Sequence, residues 1–417
     1  MGHLRRGSFV VALLLTACTA ASEHSDKPAG TPAPEQRVAA VASSASPTRE
    51  ASSGAAVAVA NGAVGAPISP QIVALRDPAA TPVIRGLYVN RFAAQSARKM
   101  RWLIGVADST EINGFVIDMK DEFGLNFRSE NPAFRKNEGA GHGMVRDVRA
   151  LLDTVHAHNI FAIARIVVFK DPTTAQANPS WTIRAPDSSI WHDKKGTSWV
   201  DPYNKALWDY NIGIAEELVH LGFDEIQFDY IRFPEPYKSL PRQVFPASNG
   251  MSKPDLLAAF LKTAHERLNK LGVRSTADVF GFVATVHGPL EIGQWWEKLA
   301  PVTDVLLPMT YPSHFPHGSF GIARPNAEPY QIQKISADTA RVRDHKLGIT
   351  APEHVRPWIQ AFSLGKPPYG AAEVEEQKRG IYDAGFDGWV LWHPGSKYEP
   401  FLPAFEKGEI VSHKKQL

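Results

Sequence analysis

Short apolar segments alternate with longer segments of helical periodicity from about residue 82 onward. The apolar segments are rich in β-branched and aromatic residues, as buried strands are. Eight of them occur, at 83–90 (VIRGLYVN), 114–120 (GFVIDMK), 161–169 (FAIARIVVF), 224–234 (DEIQFDYIRFP), 275–282 (STADVFGF), 304–312 (DVLLPMTYP), 356–362 (RPWIQAF) and 387–394 (DGWVLWHP). Such alternation favours a parallel sheet whose strands are joined by helices. Eight units in about 330 residues predict an α/β protein with a single-domain (β/α)₈ TIM barrel over residues 82–410.

A doubly wound open sheet is the alternative fold. Its first turn is usually rich in glycine, because the backbone there approaches a nucleotide. The segment that follows the first predicted strand, YVNRFAAQ, contains no glycine. The seventh strand is the least distinct of the eight, and we prefer residues 356–362 over LGIT at 347–350.

The segments between the strands carry apolar residues at the spacing of an amphipathic helix. Ser96 and Ser252 precede two of these segments and predict N-caps, the second with Asp255 as a variant capping box. The predicted buried stripes are Met100, Leu103, Ile104 and Ala107; Val145, Val148, Leu152 and Val155; Trp208, Ile212, Ala215 and Val219; and Leu257, Leu261, Ala264, Leu268 and Leu271.

The N-terminal residues have the features of a targeting segment. Arg5 and Arg6 precede a short apolar run, FVVALLL at 9–15, which is too short to span a bilayer. The next residues, LTAC at 15–18, resemble a bacterial lipobox. We therefore predict a lipoprotein signal peptide at 1–17 and a lipid on Cys18, the single cysteine of the chain. A plain secretory signal is the alternative.

The predicted location is the bacterial cell envelope, where a lipid anchor would hold the protein on a membrane. Thr19 follows the cysteine, which fits sorting to the outer membrane in a Gram-negative organism. Residues 18–81 are mostly Ala, Ser, Pro and Gly and have little to bury, so they predict a disordered tether that can be removed without loss of the fold.

Charge composition argues against a nucleic-acid partner. The chain has 45 Lys and Arg residues against 43 Asp and Glu residues, whereas nucleic-acid-binding domains concentrate positive charge. No motif in the sequence calls for a cofactor or a metal ion. The ten tryptophans, by contrast, are a supply of rings on which sugars can stack.

Polar side chains occupy late positions in the second to fifth predicted strands. Because side chains alternate along a strand, Val116, Asp118 and Lys120 are expected to share one face. Arg165 lies in the third strand, and the pairs Gln227 and Asp229, and Thr276 and Asp278, share faces of the fourth and fifth. In a barrel these late positions meet at the C-terminal mouth, where active sites lie.

Asp229 is the most informative of these residues, because a carboxylate in an apolar strand is costly unless it is paired or used. We interpret it as a catalytic or substrate-contacting group. The other polar residues have structural alternatives. Asp118 and Lys120 could form an ion pair, Arg165 could neutralise a carboxylate across the barrel, and Asp278 could cap the end of its strand.

Several segments together resemble the putative glycosyl hydrolase domain family of bacteria. They are RGLYVN, VIDMKDEFG, IARIVVFKD, DEIQFDYIRFP, LLPMTYPSHF, RPWIQAF and GWVLWHP, spread over roughly residues 82–400. The family is distantly similar to the alpha-amylase-type glycosidases. The resemblance implies a barrel that acts on a polysaccharide, with Asp229 in the position of the nucleophile. Amylase-type relatives carry a glutamate as the acid on the fifth strand, where this chain offers Asp278 instead.

Glycoside cleavage requires two carboxyl groups, one ionised and one protonated. Asp229 and Asp278 are the predicted pair, since they lie on strands expected to be neighbours. Glu122 and Glu235 are the alternative acids. The predicted substrate-binding residues are Asp118, Lys120, Arg165, Arg232, Tyr311, Trp358 and Trp392, of which the last three are candidate platforms for sugar rings. Arg165 or Arg232 could hold Asp229 ionised, and an apolar setting beside Phe280 could raise the pKa of Asp278.

Two other functions fit the same fold. A metal-dependent hydrolase or deacetylase would need histidines at ligand spacing, but His287, His314 and His393 are scattered and the first strand has none. A barrel that binds polysaccharide or cell wall without catalysis would keep the aromatic residues and would not need a carboxylate pair. Activity and binding on the same glycans would separate this alternative from a glycosidase.

Overall fold

A computed structural model describes residues 70–77, 82–139 and 141–416. The predictions for the signal peptide, for Cys18 and for the tether up to residue 69 concern residues outside these ranges.

Eight parallel strands form the core of the protein. They are β1 Arg85–Val89, β2 Gly114–Asp121, β3 Phe161–Val167, β4 Glu225–Asp229, β5 Arg274–Phe280, β6 Val305–Met309, β7 Trp358–Gln360 and β8 Trp389–Trp392. Each strand pairs with the next one, and β8 pairs with β1, so the sheet closes. The predicted (β/α)₈ barrel is confirmed, and the seventh strand lies within 356–362 as preferred.

Helices connect the strands on the outside of the barrel. In the described residues the α-helices are α1 Pro70–Arg76, α2 Arg91–Ala94, α3 Ala97–Ser109, α4 Pro132–Arg135, α5 Val148–Ala157, α6 Pro172–Ala177, α7 Lys205–Leu221, α8 Lys253–Asn269, α9 Trp296–Leu299, α10 Pro329–Lys346 and α11 Ala371–Asp383. Short 3₁₀-helices span Pro179–Trp181, Gly281–Ala284, Ala300–Val302, Pro312–His314, Ser319–Gly321, Pro325–Ala327 and Glu399–Ala404. None of the helices in this part of the chain is both long and apolar enough to cross a membrane.

The helix signals in the sequence are largely confirmed. Ser96 and Ser252 cap α3 and α8, each accepting a hydrogen bond of 3.3 Å from the backbone three residues later. The prediction that Leu271 belongs to the buried stripe of α8 is wrong. The helix ends two residues before it, and its side chain is 38% exposed. Val145 is buried as expected but precedes α5.

A bulge interrupts β2 between Asp118 and Lys120. The sequence-based expectation of strict alternation along this strand is therefore wrong at Lys120. A bulge shifts the following side chain to the other face of the strand. Lys120 is therefore fully buried and directed toward Asp171, at 2.6 Å, and toward the ring of Tyr210 on α7. Asp118 and Lys120 do not form the ion pair considered from sequence. A two-residue strand, Gly124–Leu125, pairs antiparallel with the end of β2.

Helix α1 corrects the domain boundary that we predicted at residue 82. Residues 70–77 were assigned to the disordered tether, but they form a helix whose Ile72 is fully buried in the same apolar cluster as Ile84 and Phe161. Arg76 pairs with Asp224, immediately before β4, and the carbonyl of Leu75 accepts a 2.8 Å hydrogen bond from Arg274, the first residue of β5. The helix therefore closes the N-terminal end of the barrel.

Polar side chains on β4 point inward in three successive layers, because Glu225, Gln227 and Asp229 alternate with apolar residues. In the lowest layer Glu225 pairs with Arg356 at 2.7 Å. In the middle layer Gln227 contacts Asp278. Asp229 occupies the upper layer, at the C-terminal end of the strand. Glu225, Asp278 and Asp229 therefore lie at successive depths in the barrel, and Asp229 is the nearest of the three to the C-terminal mouth.

Candidate active site

A cavity opens at the C-terminal mouth of the barrel. Its lining comes from the ends of β3 to β8 and from the loops that follow them. The lining residues are Arg165, Lys170, Asp193, Lys194, Lys195, Trp199, Asp229, Tyr230, Arg232, Glu235, Tyr237, Phe280, Gly281, Phe282, Gln294, Met309, Tyr311, His314, Phe315, Trp358 and Trp392. This is the face of a barrel on which active sites are found.

Asp229 lies in this cavity with its carboxylate held from two sides. Arg165 donates to Oδ2 through Nη2 and, at 3.1 Å, through Nε. The backbone N–H of Tyr230 donates to Oδ1 at 2.5 Å. Tyr230 has a φ of +53°, which is uncommon for a residue other than glycine and turns the chain sharply after β4. The turn and the guanidinium together fix the direction of the carboxylate.

Arg165 connects Asp229 to a second buried carboxylate. Its Nη1 donates to Asp118 at 2.5 Å, and the hydroxyl of Tyr88 donates to the other oxygen of Asp118. Burial alone would lower the pKa of Arg165, but the charges of Asp118 and Asp229 outweigh it and raise that pKa above its usual value. Arg165 is therefore a fixed positive charge beneath Asp229. Asp118 is buried and does not line the cavity.

Asp278 lies in the middle layer and is 1% exposed. Its Oδ1 accepts hydrogen bonds from Gln227 at 2.8 Å and from the indole of Trp358 at 2.6 Å. Burial and then the charge of Asp229 raise the pKa of Asp278 well above the usual range for aspartate. A raised pKa favours the protonated form that a general acid needs, but Asp278 does not line the cavity.

The two alternative acids, Glu235 and Glu122, differ in whether their side chains reach the cavity. Glu235 follows β4, lines the cavity and pairs with Arg232 at 3.2 Å. Glu122 is exposed and lies outside the cavity lining. The remaining carboxylate of the lining, Asp193, accepts hydrogen bonds from backbone amides of its own loop and from the indole of Trp199, which is a structural role. Asp229 and Glu235 are thus the two lining carboxylates that can face a ligand.

Aromatic rings form the β6-to-β8 side of the cavity. Trp392 is half-buried, and its ring lies 5.6 Å from that of Tyr311, with an angle of 32° between the planes. Trp358 is 2% exposed, and its indole nitrogen is occupied by Asp278. Of the three rings predicted as sugar platforms, Trp392 has the most surface available.

The structure brings most of the predicted site residues together. Arg165, Arg232, Tyr311, Trp358, Trp392 and Asp229 line one cavity, Asp118 and Asp278 lie in the layers below, and Lys120 lies outside. Lys170, Trp199 and Tyr230 are also parts of the site, and none of them was predicted from the sequence. Lys170 could have been found, because it follows the third predicted strand by one residue. Trp199 enters from a long loop whose path no sequence pattern indicates.

No group of three or more His, Cys, Asp and Glu side chains in the described residues is arranged to hold a metal ion. His314 lines the cavity, but its Nδ1 lies 3.0 Å from the hydroxyl of the neighbouring Ser313, and its ring packs against Tyr311 and Phe362. Burial lowers the pKa of His314 to about 4. The histidine is therefore neutral in the folded protein at neutral pH.

The sequence model of a family described as "Putative glycosyl hydrolase domain" matches residues 86–398. No curated protein matches the chain. Among solved structures, the chain is similar to a hypothetical protein from Ruminiclostridium thermocellum. That alignment has 38% identity and a TM-score of 0.42, and it covers 46% of this chain and 97% of the other.

Two solved enzymes are also similar. One is alpha-L-fucosidase isoenzyme 2 from Paenibacillus thiaminolyticus, with 15% identity, a TM-score of 0.51 and coverage of 78% of this chain and 48% of the other. The second is a noncanonic maltogenic alpha-amylase from Thermotoga neapolitana, with 12% identity, a TM-score of 0.44 and coverage of 79% and 70%. At such identities the similarity to the fucosidase is one of fold.

Proposed function

The chain belongs to the family described as "Putative glycosyl hydrolase domain", and from that premise we propose that it cleaves glycosidic bonds of a polysaccharide or cell-envelope glycan at the mouth of its barrel. The reaction would use two carboxyl groups of the cavity. One stays ionised and faces the anomeric carbon, and the other donates a proton to the departing oxygen.

Asp229 is the proposed ionised carboxylate, and its fixed position in the cavity is the observation that carries the assignment. Arg165 donates two hydrogen bonds to Oδ2, so the orientation of the carboxylate is set before a substrate binds. Oδ1 receives the backbone N–H of Tyr230. In this setting the carboxylate can attack the anomeric carbon or stabilise the positive charge that develops there.

Glu235 is the proposed proton donor. The pKa of Asp278 is raised, but the residue is 1% exposed and its oxygens already accept protein hydrogen bonds, so a leaving-group oxygen cannot reach it. A catalytic acid must first lie within reach of the substrate, and its pKa is considered only after that. Glu235 has that access, because it lines the cavity beside Arg232. We assign Asp278 to the support of Asp229 and Arg165.

Trp392 is the proposed sugar platform, since an aromatic face is complementary to the apolar face of a pyranose ring. Its partly available ring lies on the side of the cavity opposite β4, so a sugar stacked there would extend toward Asp229. Tyr311 would support the ring of Trp392 from below through their contact at 5.6 Å.

The test is hydrolysis of a panel of polysaccharides and aryl glycosides by the full-length protein, measured as released reducing ends or aryl alcohol. Asp229→Asn should lower kcat/KM by about 10³-fold or more on any substrate that is cleaved. Glu375→Gln, an exposed carboxylate on α11 outside the cavity, is the matched control and should keep the wild-type rate. Binding without cleavage across the panel would favour the non-catalytic barrel. Cleavage that Asp229→Asn leaves unchanged would refute the assignment.

We also propose that the protein acts at the cell envelope, held on a membrane by a lipid on Cys18. The support is the sequence alone, in which a basic start, a short apolar run and LTAC precede the single cysteine. An envelope location would bring the barrel close to polysaccharides that a cytoplasmic protein does not meet.

A further inference from the structure

Within the described chain, some of the positively charged side chains that line the cavity have an ion-pair partner and others do not. Arg165 lies between Asp118 and Asp229, and Arg232 pairs with Glu235. The other cations of the lining are Lys170, Lys194 and Lys195. None of these three has a carboxylate of the described chain within the 4.0 Å of an ion pair. Lys194 and Lys195 are exposed to solvent, but Lys170 is half-buried.

Lys170, three residues after the end of β3, contacts the same aromatic ring as Arg232. The Nζ atom of Lys170 is 5.2 Å from the centre of the Tyr230 ring, and the guanidinium carbon of Arg232 is also 5.2 Å from that centre. Arg232 lies in addition 4.9 Å from the ring of Trp199 and 4.7 Å from that of Phe280. Two cations thus share one aromatic wall of the cavity, next to the strand that ends in Asp229.

This arrangement is unfavourable in the empty protein. An ammonium group that is partly removed from water without an ion-pair partner loses solvation, and a like charge nearby adds repulsion. Burial and then the charge of Arg232 lower the pKa of Lys170, and the charges of Asp193, Glu122 and Glu235 at longer range offset only part of this effect. Cation–π contacts with Tyr230 offset only part of this cost. An anionic group bound beside Lys170 and Arg232 would reduce the repulsion and give Lys170 an ion-pair partner.

We propose that the glycan carries an acidic group, a carboxylate or a sulfate, which binds between Lys170 and Arg232. The proposal rests on the proposed function, since it names the substrate class of the same cavity. Lys170 and Arg232 follow β3 and β4, whereas Trp392 ends β8, so the cavity has a cationic side and an aromatic side. The acidic sugar would lie next to Asp229, and a neutral ring would stack on Trp392.

The test uses matched pairs of oligosaccharides that differ only in charge. One pair is an oligogalacturonide and its methyl ester, and the second is a κ-carrageenan oligosaccharide and its desulfated form. Dissociation constants are measured by isothermal titration calorimetry on full-length Asp229→Asn protein, in which turnover is suppressed. The acidic member of at least one pair should bind about tenfold more tightly than the neutral member, and added salt should reduce this preference. The pair that shows the preference identifies the acidic group.

Lys170→Met in the same background should raise the dissociation constant of the acidic member to that of the neutral one and leave the neutral one unchanged. Lys262→Met, an exposed lysine on α8, is the matched control and should keep the preference. Equal affinity within both pairs, including no binding by any member, would overturn the proposal. Equal weakening of both members by Lys170→Met would overturn it as well. Hydrolysis of neutral glycans without such a preference would support the proposed function and overturn the acidic-group proposal. Preferential binding of the acidic member without hydrolysis by the wild type would support the acidic-group proposal and overturn the proposed function.

Discussion

The indole N–H of Trp358 on β7 donates a 2.6 Å hydrogen bond to Oδ1 of Asp278 on β5, across the intervening strand β6. This bond joins a residue expected to stack on a sugar to a residue expected to protonate one. Both side chains are almost fully buried, at 2% and 1% exposure, so neither presents the surface that its expected role needs. Asp278 Oδ2 also lies 3.8 Å from Nε of Arg165, so the pair supports the guanidinium that holds Asp229.

Trp358→Phe should destabilise the barrel by about 1–3 kcal/mol, because it leaves a buried carboxyl group without one of its donors. Urea unfolding measures the change. Trp392→Phe is the matched control, since its half-exposed ring makes no such bond to Asp278, and it should change stability less while raising KM. Equal losses of stability in the two variants would mean that the bond to Asp278 contributes little.

Glu235→Gln should lower kcat/KM by about 10²–10⁴-fold for glycosides with poor leaving groups, and much less for dinitrophenyl glycosides, which depart without protonation. Asp278→Asn should lower activity by a factor that does not depend on the leaving group, because its proposed role is to support Arg165. A series of aryl glycosides of graded acidity measures the dependence. The opposite pattern, with Asp278→Asn sensitive to the leaving group, would transfer the acid role to Asp278.

Removal of α1 should destabilise the protein, in contrast to removal of the segment before it. A chain that begins at residue 82 loses the burial of Ile72, which is of the order of 2 kcal/mol, and the bonds of Arg76 and Arg274 at the base of the barrel. Its melting temperature should lie several degrees below that of a chain that begins at residue 70. Identical melting curves would show that α1 adds nothing to the barrel.

Stability should fall with pH in a manner that depends on His314. Its pKa is lowered to about 4 in the folded protein, against about 6.5 in an unfolded chain. The unfolded state therefore binds the proton first, so the contribution of His314 to stability is full above about pH 6.5 and falls by about 3 kcal/mol as the pH decreases to 4. His314→Gln should flatten this part of the profile. His345→Gln, an exposed histidine on α10, should not, and an unchanged profile in His314→Gln would contradict the assignment.

Cys18→Ser should release the protein from the membrane fraction of its host, because the proposed lipid attaches to that thiol. Fractionation followed by immunoblotting measures the distribution. Ser22→Ala, a change close to the cysteine that leaves the thiol in place, is the control and should remain in the membrane fraction. Retention of the Cys18→Ser protein there would exclude the thiol as the point of attachment.

The barrel could be predicted from sequence because its signals are local. Each strand is a short apolar run, and residues such as Ser96 cap the helices that follow. The face of β2 on which the Lys120 side chain lies could not be predicted in this way, because the bulge depends on the pairing of β2 with β3. The same holds for Asp278 and Trp358, 80 residues apart, whose hydrogen bond exists only once the sheet has closed. Sequence alternation indicated which polar residues face inward, whereas depth along the barrel axis decided which of them reach the cavity.

Helix α1 also determines how the barrel would be presented to its surroundings. It lies where β4 and β5 begin, beside Asp224 and Arg274, whereas the cavity opens where these strands end. The five residues of β4 alone separate the two faces by about 15 Å, at about 3.3 Å per residue. The described chain therefore enters the barrel through α1 on the face opposite the cavity. Helix α1 leaves the mouth unobstructed, so a long polymer has room to extend on both sides of the cavity.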